Sequence, residues 1–177
     1  MVGACSGWYM RAKDGFSLIE LLIVVAIILV IAAFAIPSLS RARIAANEAS
    51  AAVALRTINV AEATFVITYS SGFSEDLRRL GAPASGPATV AAADLLDPIL
   101  SANADGNTGP SSFVRKGYVF LYAPTGNSTT FGWIFQYQVN ADPQTRNSTG
   151  RRSYYSDQSS IVRANASAEA TSSDNPI

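Results

Sequence analysis

From Phe16 to Ile36 the chain runs 21 residues with one charged side chain, Glu20, and no polar side chain after Leu21. Wound as a helix at 1.5 Å per residue, this stretch is about 31 Å long, close to the hydrocarbon thickness of a bilayer. It constrains the fold more than any other feature. Such a helix has no polar face to offer water, so it must sit in lipid or inside an apolar assembly, and the rest of the chain must build its core without it. Of the whole chain, 49% is hydrophobic and only 15% charged, and much of that imbalance lies in 16–36. What remains has an ordinary soluble composition, enough for one domain with a modest core. A carboxylate near the start of a membrane-length helix is costly, so Glu20 needs either a partner or a path to water.

Arg11 and Lys13 precede the run. Positive charge before a first span favours a cytoplasmic N-terminus and places the C-terminal part outside the cytoplasm. Three readings of the segment compete. A cleaved secretory signal has Ala33-Phe34-Ala35 as a cleavage box, but Glu20 interrupts its apolar region, which also exceeds the usual length of about 7–15 residues. A plain single-pass anchor accounts for the length and leaves Glu20 and the Gly15-Phe16 junction without a role. The third reading accounts for all three features. Lys13-Asp14-Gly15-Phe16-Ser17-Leu18-Ile19-Glu20-Leu21, followed by an uninterrupted span and Pro37, resembles the prepilin signature of type IV pilins and of the pseudopilins of type II secretion.

That resemblance implies processing by a membrane aspartyl protease, the prepilin peptidase, which cuts after Gly15 and N-methylates Phe16. Residues 1–15 would be the leader, or a shorter one if Met10 is the true start. Glycine suits the cut because it lets an extended backbone enter a protease cleft unobstructed. Glu20 would pair with the N-terminal amine of a neighbouring subunit, since a carboxylate in a dry filament core is tolerable only when paired. Pro37 matches the position of a helix-kinking proline, where a backbone donor is lost. The implied fold is α+β and pilin-like: a long N-terminal helix, half membrane-spanning and half amphipathic, packed on a small C-terminal antiparallel sheet. The implied function is that of a structural subunit of a type IV pilus-like filament. The alternatives are a pseudopilin of a type II secretion system and a membrane-anchored adhesin or binding domain. Partners would be copies of the chain itself, the peptidase, an inner-membrane assembly platform and, before assembly, the lipid bilayer. The precursor would cross the bacterial inner membrane once, with its leader in the cytoplasm, and end in an extracellular pilus or a periplasmic pseudopilus.

Beyond the span, 37–68 is rich in alanine, a strong helix former, and has no glycine, and after Pro37 no proline. Ile44, Ala51, Leu55, Ile58 and Phe65 form one apolar stripe of an amphipathic helix, with Arg41, Arg43, Glu48, Arg56 and Glu62 largely off it. Gly72 is the expected stop. A globular domain is expected over 69–163, with a loop region at 69–116 and an antiparallel sheet at 117–163. Within the loop region, 75–80 reads as a helical turn and 88–100 as a short second helix, weakened by Asp97-Pro98. Strands are expected at 117–123 and 131–139, the second presenting Phe131, Trp133, Phe135, Tyr137 and Val139 on one face. Residues 124–129 read as a turn. A hairpin is expected from 152–155 and 160–163, and 164–177 reads as disordered.

The composition argues against other classes. Thirteen basic and 13 acidic residues leave no basic field for nucleic acid. There is no histidine, and no nucleophile elbow, phosphate loop or metal-ligand cluster, so neither catalysis nor a metal or other cofactor is expected. The single cysteine, Cys5, cannot close a disulfide within the chain. Asp105-Gly106-Asn107 has the flavour of a calcium loop but lacks the spaced carboxylates that follow in one. Asn127, Asn147 and Asn165 fit the N-x-S/T acceptor pattern, as chance alone produces in so serine- and threonine-rich a chain.

Overall fold

The computed structural model describes residues 15–101, 111–127 and 132–177. Cys5, Met10, Arg11, Lys13, the 105–107 turn and Phe131 lie outside the described residues. A single helix, α1 (Leu18–Tyr69), is followed by a 3-10 turn (Leu77–Leu80) and six strands. These are β1 (Ser112–Arg115), β2 (Tyr118–Asn127), β3 (Ile134–Pro143), β4 (Ser153–Asp157), β5 (Arg163–Asn165) and β6 (Asn175–Pro176). They form one antiparallel sheet whose spatial order is the chain order. The long N-terminal helix and this sheet are the α+β, pilin-like arrangement that the sequence predicts. Two compact units divide within α1, between Leu39 and Ser40.

In the first unit α1 begins with the Leu21 N–H donating to the Ser17 carbonyl at 3.2 Å. The helix runs through Pro37 without a break in its assignment. Among the described residues its large apolar side chains, from Leu18 to Ile36, stand exposed.

The second unit holds the core. Ile44, Ala51, Leu55, Ile58 and Phe65 are all buried, so the helical period read from the sequence marks the covered face. Against it lie Tyr118, Phe120 and Tyr122 of β2 and Tyr137, Val139 and Ala141 of β3. The two strands pair in regular register, Phe120 opposite Ala141 and Tyr122 opposite Val139, which keeps alternate residues facing the helix. Phe113 of β1 stacks on Phe120 with ring centroids 4.4 Å apart.

α1 stops at Tyr69, three residues before a left-handed glycine. Ser70 already takes φ +52, and its N–H closes on the Val66 carbonyl at 2.9 Å. Gly72, at φ +80, then lets the chain double back against the end of β3. A Cβ there would meet the Ile134 carbonyl oxygen at 2.6 Å, and the next N–H, that of Phe73, donates to the same oxygen at 2.8 Å.

Several expected elements differ. The helical turn appears at Leu77–Leu80, but 88–100 is not a helix. Its donors go elsewhere: Ala93 N–H to the Arg79 carbonyl, Asp94 N–H to Gly81, and the N–H groups of Leu95 and Leu96 to Leu80. These bonds draw Ala93, Leu96 and Leu100 into the core, a tertiary gain that outweighs alanine's helix propensity. The expected turn at 124–129 is instead the far half of β2 as far as Asn127. Pro124 is tolerated there because the pairing with β1 has already ended at Leu121, so no ladder bond is lost. The aromatic face of β3 is split. Tyr137 and Val139 are buried, whereas Trp133 and Phe135 are 41% and 52% exposed. The chain returning at Gly72 lies against Ile134 instead, which is buried. β1 and β6 were not expected, and the hairpin strands are β4 and β5, shifted a few residues along. The tail is ordered rather than loose. β6 pairs with β5, Ala170 is buried, and its carbonyl accepts from Asn140 Nδ2 at 3.0 Å.

Candidate functional site

Gly15 and Phe16 lie just before α1, and Glu20 sits in its first turn. A Cβ built on Gly15 would meet nothing within 4 Å. Among the described residues, nothing makes a steric demand for glycine at that position. Phe16 is 82% exposed. Glu20 is exposed as well, set among apolar neighbours that no part of the unit covers. The most apolar 18-residue window of α1 has a mean hydropathy of 3.2 and no residue buried, so by length and composition this helix can cross a membrane. Pro37 lies beyond that apolar stretch, still inside α1.

Residues 10–36 match the family signature described as the prokaryotic N-terminal methylation motif. The chain carries the type IV pilin and pseudopilin signature. No curated protein and no solved structure matches it. The motif and the long apolar helix suggest a pilin or pseudopilin, a structural rather than catalytic class, and fit a precursor anchored in the inner membrane. The motif also implies processing by prepilin peptidase and assembly into filaments. Among the described residues no group of three His, Cys, Asp or Glu could hold a metal ion.

In the second unit, four polar side chains of α1, those of Asn47, Glu48, Asn59 and Glu62, tie the helix to the sheet and its connecting loops. The sequence places two of them, Glu48 and Glu62, off the buried stripe, yet both are buried. The Glu48 carboxylate accepts the N–H groups of Arg151 at 2.9 Å and Arg152 at 3.3 Å. Its other oxygen takes both Nε (3.0 Å) and Nη2 (2.8 Å) of Arg152. Burial alone would raise the Glu48 pKa, but these four donors outweigh it and hold the group below its ordinary value. Next along the helix, the Asn47 amide donates to the Thr149 carbonyl at 2.9 Å. Gly150 lets the 149–152 loop lie flat on Tyr118, where any Cβ would collide with the ring. Asn59 donates to Ser156 Oγ at 2.7 Å and accepts from the Tyr137 hydroxyl at 3.0 Å.

Glu62 is 0% exposed. It accepts the Ser74 N–H at 3.0 Å and the Ser74 hydroxyl at 2.5 Å, and the Tyr122 hydroxyl donates to the Ser74 carbonyl at 2.8 Å. Among the described residues no cation pairs with it. Burial pushes its pKa above the ordinary 4.5, only partly opposed by the hydrogen bonds from Ser74. The folded chain therefore holds this proton more tightly than the unfolded chain. Its contribution to stability is greatest below about pH 4.5 and is lost as pH rises from there through the folded-state pKa. Glu62→Gln keeps the shape and removes that titration. The melting temperature of the variant, relative to the parent, will rise as pH increases from about 4.5 through the parent's raised folded-state pKa. Parallel melting curves across that range would show that Glu62 does not titrate on folding.

Proposed function

We propose that the chain is a structural subunit of a type IV pilus-like filament. It is cut after Gly15 and N-methylated at Phe16 by prepilin peptidase, then assembled through its apolar helix and Glu20. One observation carries the reading: a glycine that no described neighbour requires stands directly before a membrane-length helix whose apolar side chains, among the described residues, stand exposed. In the bilayer, lipid covers that surface. In a filament, the apolar helices of neighbouring copies cover one another, and burial of this area drives association. Pro37, lacking a backbone donor, gives the helix a place to bend as subunits pack. The assembly platform takes subunits from the membrane, and the sheet-bearing unit coats the outside.

Intact mass and N-terminal sequencing of the membrane-extracted protein test this reading. The expected product starts at N-methyl-Phe16 and has 162 residues, the 177 of the chain less its first 15. The Gly15→Glu variant will keep its leader, because a charged side chain does not fit a cleft shaped for glycine. A product starting at Ile36 would mean a secreted soluble domain. An uncut N-terminus beside an active prepilin peptidase would mean a plain membrane anchor.

A further inference from the structure

A cleft of about 450 Å³ opens beside α1, lined by Arg41, Ile44, Ala45, Glu48 and Arg151. Its only carboxylate is already engaged, since all four hydrogen bonds described for Glu48 come from Arg152 and the backbone of Arg151 and Arg152. The guanidinium groups of Arg41 and Arg151 are thus left unneutralised by the cleft's own acid. Both residues are exposed, and neither takes part in an ion pair among the described residues. Ile44 and Ala45 give the cleft an apolar side.

We propose that this cleft binds the phosphate of an anionic phospholipid, with Arg41 and Arg151 as its two donors. Guanidinium groups match phosphate oxygens with paired N–H donors and are weakly hydrated, so they bind phosphate better than a lysine would. The place in the chain selects lipid as the source of that phosphate. Arg41 follows Ile36, the last residue of the apolar run, by only five residues, so the chain's own length keeps it within about 18 Å of the end of the span, in reach of a headgroup layer. The apolar neighbours Ile44 and Ala45 suit the glycerol and first acyl carbons attached to such a phosphate. The proposal rests on the reading of 16–36 as a membrane span. It adds to that reading a headgroup preference, which an apolar helix alone does not supply.

The test uses the full chain and a variant carrying both Arg41→Gln and Arg151→Gln, each extracted with mixed phosphatidylglycerol and phosphatidylcholine and weighed by native mass spectrometry. The parent will retain phosphatidylglycerol roughly thirtyfold over phosphatidylcholine, the ratio that two arginines at about 1 kcal/mol each near a lipid surface supply. The double variant will lose that preference while resisting carbonate extraction from membranes as the parent does and melting at the same temperature. Millimolar inorganic phosphate will leave the retained lipid in place. Displacement by inorganic phosphate would make this a free-phosphate site and overturn the lipid assignment. An unchanged preference in the variant would overturn it too, and if filament yield fell at the same time, the arginines would instead be meeting a carboxylate of a second copy. A parent that stays in the membrane without headgroup preference sinks the cleft proposal alone. A parent that carbonate strips from the membrane sinks the membrane reading with it.

Discussion

Glu20→Ala will leave a protein that is cut at Gly15 and held in the membrane at normal levels, yet gives almost no filaments. The argument turns on magnitude. Within one chain, Glu20 lies in the first turn of α1, where a carboxylate gains from the helix dipole. That gain is only about 0.3–1 kcal/mol, too little to decide whether a polymer forms. The same carboxylate buried among apolar helices is a different matter. Paired with the new N-terminal amine of the next subunit, it neutralises a charge that would otherwise be stranded. Removing one partner of a buried pair costs about 3–5 kcal/mol, and every 1.4 kcal/mol is tenfold in an association constant. Each subunit addition would therefore weaken more than a hundredfold. Filaments sheared from cells and weighed against total membrane-bound subunit give the measurement. Undiminished yield from Glu20→Ala would reduce the residue to a helix-dipole group. Glu20→Gln refines the test, since it keeps the length of the side chain and removes only its charge.

The second large effect is expected at Glu48. Glu48→Ala strips the acceptor from two backbone N–H groups and from the Nε and Nη2 of Arg152. The Arg152 side chain is 48% exposed and can turn to water, so it adds little to the loss. The two part-buried amides cannot turn away, and the helix loses its hold on the 149–152 loop. Together these cost about 2–4 kcal/mol, or roughly 5–15 °C in melting temperature for a domain of this size. The effect depends on pH in the opposite sense to that of Glu62. The folded-state pKa of Glu48 is depressed, so its stabilisation is fully present above about pH 4.5 and is lost as pH falls through the folded value. Thermal melts of parent and variant in the same detergent will therefore differ most near neutrality and converge in acid. A difference that held constant down to strongly acidic pH would mean that the side chain acts by packing and not by charge.

The parts legible in the sequence are those set by a local period or a local motif. The stripe from Ile44 to Phe65 could be read because every seventh or fourth residue faces one way on a helix, whatever it packs against. The methylation motif within 10–36 could be read because its residues are contiguous. What escaped reading depends on distant partners. Nothing near Glu48 in sequence announces Arg152, 104 residues away, and nothing near Glu62 announces that Tyr122 will help seat Ser74 against it. A charged residue on an alanine-rich helix ordinarily faces water, and only the sheet reverses that here. The 88–100 segment misleads for the same reason, since its amide groups are claimed by residues 79–81. The tail misleads in another way. Its short polar side chains build hydrogen-bonded turns around Asn165 and Asp174 instead of an apolar pattern, so composition suggests disorder where the backbone is tied.

The sheet is a plain meander in which every strand pairs with the one made just before it. Such a sheet needs no earlier strand to be held open for a later one, so each hairpin can close as soon as its second strand is available, with little loop-closure entropy to overcome. The helix is the exception. It is made first, but the residues that clamp it, Arg151 and Arg152, arrive more than a hundred positions later. During biogenesis the Glu48 end of its buried face must therefore stay unclamped until residues 151 and 152 are in place, even with β2 and β3 already made. A ribosome or export channel that stalls before residue 151 would leave a nascent chain with an incomplete sheet and a loosely held helix, and the apolar surface such a chain exposes transiently is the kind that chaperones and quality-control proteases recognise.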